Sequence, residues 1–144
     1  MKIRRLKISE LDTFTKIHNN AMKQLHPNDI KNWLGTKKFF REKTQRYKAS
    51  IFVAEEKGKI IGFIEGGFYV PKPHHTVEIY SLFVKRGYRD KGTEEMLAKK
   101  FISAHKSKGF KTIWITDFSY LTIRFYERLG FKKTHSRKSM GLSL

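Results

Sequence analysis

Between Ser81 and Leu97 the chain reads SLFVKRGYRDKGTEEML: an apolar run, a basic turn containing glycine, then a helical pattern. A strand that runs through such a turn into a helix is an α/β element. The turn aims free backbone N–H groups, and the partial positive end of the helix, at one point in space. That arrangement is a ready site for a phosphate. The remainder of the chain reads as scaffold around it.

Upstream, Lys2 to Lys7 suits a short strand with Ile3 facing inward. Ser9 with Asp12 three residues on resembles a capping box. Leu11, Phe14, Ile17, Ala21 and Leu25 then recur at helical spacing and predict a helix ending before Pro27. Asp29 caps a second helical region through Ile30, Trp33, Leu34, Phe39, Phe40 and Tyr47, which Gly35 breaks in two. From Ile51 the period changes to that of strands. Ile51 to Glu55 and Ile60 to Val70 flank the hairpin chemistry of Glu56-Lys57-Gly58-Lys59. Gly66-Gly67 implies a bulge or a close backbone approach. Pro71 to Pro73 forms a loop, and Thr76 to Val84 is apolar enough for a central strand.

Downstream, a helix runs from about Thr93 to Lys106 and stops at Gly109. Thr112 to Thr116 is β-branched, and Leu121, Phe125 and Leu129 form another helical stripe closed by Gly130. Phe131 to Thr134 and Ser139 to Leu144 close the chain as a strand pair. The order β-α-α-β-β-β-α-β-α-β-β, without repeat or linker, predicts one α/β domain over 1–144.

Composition narrows the class. The 144 residues suffice for a hydrophobic core, and an apolar fraction of 39% argues against disorder. Cysteine is absent, which excludes disulfides and thiolate metal sites. No stretch has the length of a membrane span and the basic start lacks a signal peptide's apolar run, so a cytoplasmic protein without a membrane partner is expected. Lys and Arg number 31 against 13 Asp and Glu, for a net charge of +18. Such a balance favours polyanionic partners, including nucleic acid or ribosomes, or else is solvated surface, since the basic residues are spread along the chain.

Two segments carry the chemistry: Leu82-Phe83-Val84 continuing through Tyr88-Arg89-Asp90-Lys91-Gly92-Thr93-Glu94, and Phe125-Tyr126-Glu127-Arg128-Leu129-Gly130-Phe131. Their order, with the order of elements along the whole chain, resembles the GNAT family of N-acetyltransferases. The resemblance implies a GNAT-like fold, a mixed and mostly antiparallel sheet of about six to seven strands with about four helices. It also implies acetyl-CoA as co-substrate and direct transfer to a primary amine of a small molecule or peptide, by a monomer or homodimer. A non-catalytic or nucleic-acid-binding module on the same fold is the competing expectation, motivated by the charge.

Coenzyme A carries a pyrophosphate, which needs several converging N–H donors. Arg89, Asp90, Lys91, Gly92, Thr93 and Glu94 supply them at a helix start, with Lys85, Arg86, Arg89 and Lys91 adding attraction. The resemblance further implies that the backbone of Leu82, Phe83 and Val84 pairs with the pantetheine arm. It makes Tyr126 both a cofactor contact and the general acid for the departing thiolate; a packed helix tyrosine is the plainer reading. Glu94 departs from the family pattern, which has a small residue there. Ser119 and Thr122 stand where Asn and Ala are common, Ser119 remaining a candidate cofactor contact.

Glu78 is a carboxylate in an apolar strand, where burial raises a pKa toward that of a useful base. A solvent-facing or ion-paired strand residue is the alternative. Glu65, beside Gly66-Gly67, is a second candidate base or a contact for the substrate amine. His74 and His75 have no second ligand at helical or turn spacing, so no metal site is expected. Trp33, Phe39 and Phe40 belong either to the acceptor pocket, as in the family, or to the core.

Overall fold

The computed structural model describes residues 1–46, 51–70, 76–115, 120–134 and 139–144. Its strands are β1 (Lys2–Arg5), β2 (Ile51–Glu56), β3 (Lys59–Val70), β4 (Thr76–Val84), β5 (Thr112–Ile115), β6 (Lys132–Lys133) and β7 (Met140–Ser143). The helices are α1 (Leu11–Leu25), α2 (Lys37–Arg46), α3 (Thr93–Ser107) and α4 (Tyr120–Arg128). All seven strands form one sheet in the order β1-β2-β3-β4-β5-β7-β6. Its one parallel pair, β4 with β5, is the pair α3 connects; the others are antiparallel. Parallel neighbours require a crossover of this kind. No helix among the described residues is long and apolar enough to cross a membrane.

Strand alternation divides the core between the two faces of the sheet. One face carries Phe52, Ala54, Ile61, Ile64, Val77 and Ile79 against Leu97, Ala98 and Phe101 of α3. The other carries Ile51, Val53, Phe63 and Phe83 against Leu11, Phe14, Ala21 and Met22 of α1 and Phe40 of α2. Burying each of these large side chains contributes about 2–3 kcal/mol.

Local chemistry departs from the sequence expectation in two places at α1. The capping bond is made by Glu10 rather than by Ser9 and Asp12, and it closes the 3-10 turn Ile8–Glu10 that leads into the helix, α1 itself having no side-chain cap bond. The Glu10 carboxylate accepts the Lys7 N–H at 3.0 Å and two guanidinium bonds from Arg4, which also holds Glu55 of β2. The buried face of α1 comprises Leu11, Phe14, His18, Ala21 and Met22, which leaves Leu25 exposed. The break at Gly35 is as expected and has a clear cause. Asn19 of α1 clamps it, accepting its N–H at 2.9 Å and donating to its carbonyl at 3.0 Å, and a Cβ there would strike the Phe40 ring.

Both readings of Gly66-Gly67 hold. A Cβ on Gly66 would overlap the Glu78 carbonyl and the Phe101 ring, and one on Gly67 would strike Tyr80. The register of β3 against β4 slips between Glu65↔Ser81 and Gly66↔Ile79, so that Tyr80 of β4 is the extra residue of a β-bulge.

Candidate active site

Two consequences of that bulge build the site. The first concerns side chains. Ser81 and Tyr80 both face α1 and α2, because Ser81 reaches Glu65 and the Tyr80 ring lies under Lys43 of α2. Val77 and Ile79 return to the α3 face, so Glu78 between them points to the α1/α2 face. Glu78 is therefore buried, at 2% exposure, opposite Gly67, and the solvent-facing alternative is excluded.

The second consequence concerns the backbone. In the described residues β5 accompanies β4 only from Thr76↔Thr112 to Ile79↔Ile115, while β4 continues to Val84. The Lys85 N–H bonds the Ile61 carbonyl at 2.8 Å. Antiparallel alternation then makes Phe83 the residue bonded to β3 and turns the polar groups of Leu82 and Val84 to the other side, where no described residue of β5 pairs with them. An extended ligand with amide groups can add to such an edge as a strand does.

This edge runs directly into the turn. A 3-10 turn at Arg86–Tyr88 is followed by Asp90 at φ 61° and Gly92 at φ 81°, both left-handed. Asp tolerates this conformation and glycine favours it. Gly92 is the N-cap of α3 and offers no side-chain bond. The first N–H groups of the helix, at Thr93, Glu94 and Glu95, thus lack partners within it. Thr93 is buried and its hydroxyl points to the Met1 sulfur. Glu94 is half-buried in this first turn, where a carboxylate interacts favourably with the helix dipole and competes with an incoming anion. Glu95 pairs with Lys99 at 2.9 Å.

Arg89 has a more structural place than its charge suggested. Its Nε donates to the Val84 carbonyl at 2.8 Å and its guanidinium lies over Phe83, tying the turn to the end of β4. Lys91 lies 6.0 Å from the Tyr88 ring. Tyr126 of α4 packs edge-on to Phe125 and Phe131 in the cluster that includes α3. Its hydroxyl has no hydrogen bond among the described residues, and burial raises its pKa above the ordinary tyrosine range. Tyr126 and Glu78 therefore belong to opposite faces of the sheet. Ser119, His74 and His75 lie outside the described residues.

Sequence reasoning missed a charged cluster on the α1/α2 face. The Lys43 ammonium lies 2.6 Å from Glu65 Oε1, and Glu65 Oε2 accepts from Ser81 at 3.2 Å and lies 3.3 Å from His18 Nε2. Burial alone pushes the Glu65 carboxyl up, but the hydrogen bond from His18 and the Lys43 charge outweigh it and hold it at about 2. A lowered pKa makes Glu65 a weaker proton acceptor than an ordinary carboxylate and suits it better to holding a cation. The three come from α1, α2 and β3 with no common spacing; only the isolated acid in β3 signalled them. A cavity of about 440 Å³ opens beside them, lined by Trp33, Thr36 and Phe39 as well as His18, Glu65 and Tyr80. Trp33 and Phe39 therefore border a cavity, whereas Phe40 is core.

A strand that outruns its neighbour β5 among the described residues, and leads into a helix start without a side-chain cap, is an arrangement suited to a long ligand ending in phosphate. The chain belongs to the acetyltransferase (GNAT) family, whose pattern matches residues 11–131. It is 24% identical over 141 residues to an uncharacterized N-acetyltransferase of Archaeoglobus fulgidus, covering 94% of this chain and 96% of that protein. With an N-alpha-acetyltransferase of Sulfurisphaera tokodaii it shares 27% identity over 148 residues, or 92% and 80% of the two chains. Among solved structures, the PaiA N-acetyltransferase of Thermoplasma acidophilum in complex with coenzyme A superposes with a TM-score of 0.80 at 21% identity. That match covers 99% of this chain and 98% of the other.

Proposed function

We propose that the chain transfers the acetyl group of acetyl-CoA to a primary amine by direct attack within a ternary complex. The observation that carries this reading is the continuity of β4, whose Leu82 to Val84 have no β5 partner among the described residues, with the turn from Arg89 to Glu94 at the start of α3. The edge suits the amides of the pantetheine arm, and the N–H groups of Asp90 to Glu94 suit the pyrophosphate. A non-catalytic basic module draws on the net charge and on Glu94 in the first turn of α3.

In this reading Glu78 takes a proton from the acceptor amine, directly or through water, and the freed lone pair attacks the thioester carbon. A backbone N–H of β4 stabilises the charge developing on the carbonyl oxygen. The C–N bond forms, the C–S bond breaks, Tyr126 gives its proton to the thiolate, and the phenolate takes back the remaining proton of the new amide's nitrogen. Burial keeps the Tyr126 phenol protonated until the thiolate appears and returns the proton to it afterwards.

Calorimetric titration with acetyl-CoA followed by a thiol-release assay tests the reading. Binding is expected, with Tyr126→Phe and Glu78→Gln each lowering kcat about 100-fold or more. No binding at millimolar acetyl-CoA defeats the proposal. Unchanged turnover in both variants removes the acid and base assignments.

A further inference from the structure

The charged cluster has a form that the reaction above does not use. The Lys43 ammonium is held by the Glu65 carboxylate at 2.6 Å and lies 4.6 Å from the Tyr80 ring centroid and 4.9 Å from that of Phe39. A buried carboxylate under two aromatic faces is chemistry that selects an organic ammonium ion. Here the ion is supplied by the protein itself, from the last turn of α2. Phe39, Tyr80 and Glu65 also line the 440 Å³ cavity, so the cage and the cavity share walls. Tyr80 is the bulge residue and stands two positions from Glu78 on the same strand face, which places the cage next to the proposed base.

We propose that this cage is an ammonium subsite of the acceptor pocket which Lys43 fills as a tethered ligand, restricting the acceptor to amines without a second cationic group near the reacting one. The assignment of the cavity to the acceptor rests on the acetyltransferase reading; the cage itself does not. With Lys43 seated, the Glu65 charge is matched and the aromatic faces are covered. A second ammonium on the acceptor then meets a like charge instead of a counter-ion. Removing the lysine amine leaves the same walls and frees Glu65 Oε1, with His18 and Ser81 still on Oε2, a site open to a free alkylammonium ion.

Two measurements test this separately from the acetyl-CoA reading. In thermal unfolding without acetyl-CoA, millimolar propylamine should raise the Tm of Lys43→Ala saturably and leave wild type unmoved. The Lys43→Ala/Glu65→Gln double variant, in which charge balance is restored, should not respond either. If Lys43→Ala folds only when the amine is present, that recovery is the same result. Equal shifts in wild type and Lys43→Ala, or none in Lys43→Ala, overturn the proposal. In the thiol-release assay the kcat/KM ratio of putrescine to propylamine should rise about tenfold or more from wild type to Lys43→Ala. An unchanged ratio overturns the restriction on acceptors. Absence of transfer to any amine, alongside a saturable shift in Lys43→Ala, would defeat the acetyltransferase reading and leave the cage standing.

Discussion

The two faces of the sheet hold their helices by different chemistry. On the α3 face the contacts are mostly carbon on carbon, with Phe101 seated over Gly66, and Thr93 and His105 are the buried polar residues of α3. On the α1/α2 face Phe14, Phe40 and Phe63 pack around His18, which lies beside the Lys43–Glu65 ion pair. One face is a platform that fixes the strands. The other trades some of that packing for buried polar groups, at the place where a cavity opens.

The largest effect expected from this contrast is on stability. Phe101→Ala should cost about 3–5 kcal/mol by denaturant unfolding, because α3 lies flat on the sheet and cannot collapse into the void. A loss below about 1 kcal/mol would mean that the α3 face is not the platform described.

The contrast sharpens in acid, where each face has its own window. Burial pushes His105 from 6.5 down to about 4, so between these values the unfolded chain binds a proton that the native one refuses. Stability is complete above pH 6.5 and falls as pH drops toward 4, by about 3 kcal/mol. Glu65 acts lower. Held at about 2 against an ordinary 4.5, it stabilises above pH 4.5, and that contribution, again about 3 kcal/mol, is lost as pH falls toward 2. Urea titrations across pH should show His105→Gln flattening the upper window and Glu65→Gln the lower. A variant that leaves its window unchanged breaks the division between faces.

The smallest effect lies at the surface between α1 and α2. Asp12 and Lys37 pair at 3.0 Å but both are exposed. Asp12→Ala should change stability by no more than about 0.5 kcal/mol, less at high salt. A cost near that of Phe101→Ala would contradict the view that buried groups hold this face.

What was legible in the sequence follows the same division. Helical and strand periods, the hairpin at Lys57-Gly58 and the turn before α3 are local, and each follows from neighbours in the chain. Tyr126, Glu78 and the turn stood out because their segments carry a pattern. The cage did not, since nothing local in the chain sets Lys43 apart from the other cations or His18 from its helix neighbours. Nor did the role of Arg89, because whether a guanidinium meets a ligand or a strand carbonyl depends on a fold-back that composition does not record. Leu25 misled the reading of α1 for a related reason: the face was set by what lay opposite, so Leu25 is exposed while Ile17 packs partly buried against the core.

The bulge at Tyr80 has a consequence for how such a site can arise. Without that residue, Ser81 and Ile79 would alternate as in any regular strand, with Glu78 still on its present face. Tyr80 thus behaves as an insertion that the hydrophobic alternation absorbs. A bulge bends the strand that carries it, and this one lies just past the last described pair of β4 with β5. Such a bend is reached by lengthening a strand by one residue, a step that no exchange of one amino acid for another reproduces. A designer wishing to re-aim the far end of a strand would begin with one added residue and leave the composition of the strand alone.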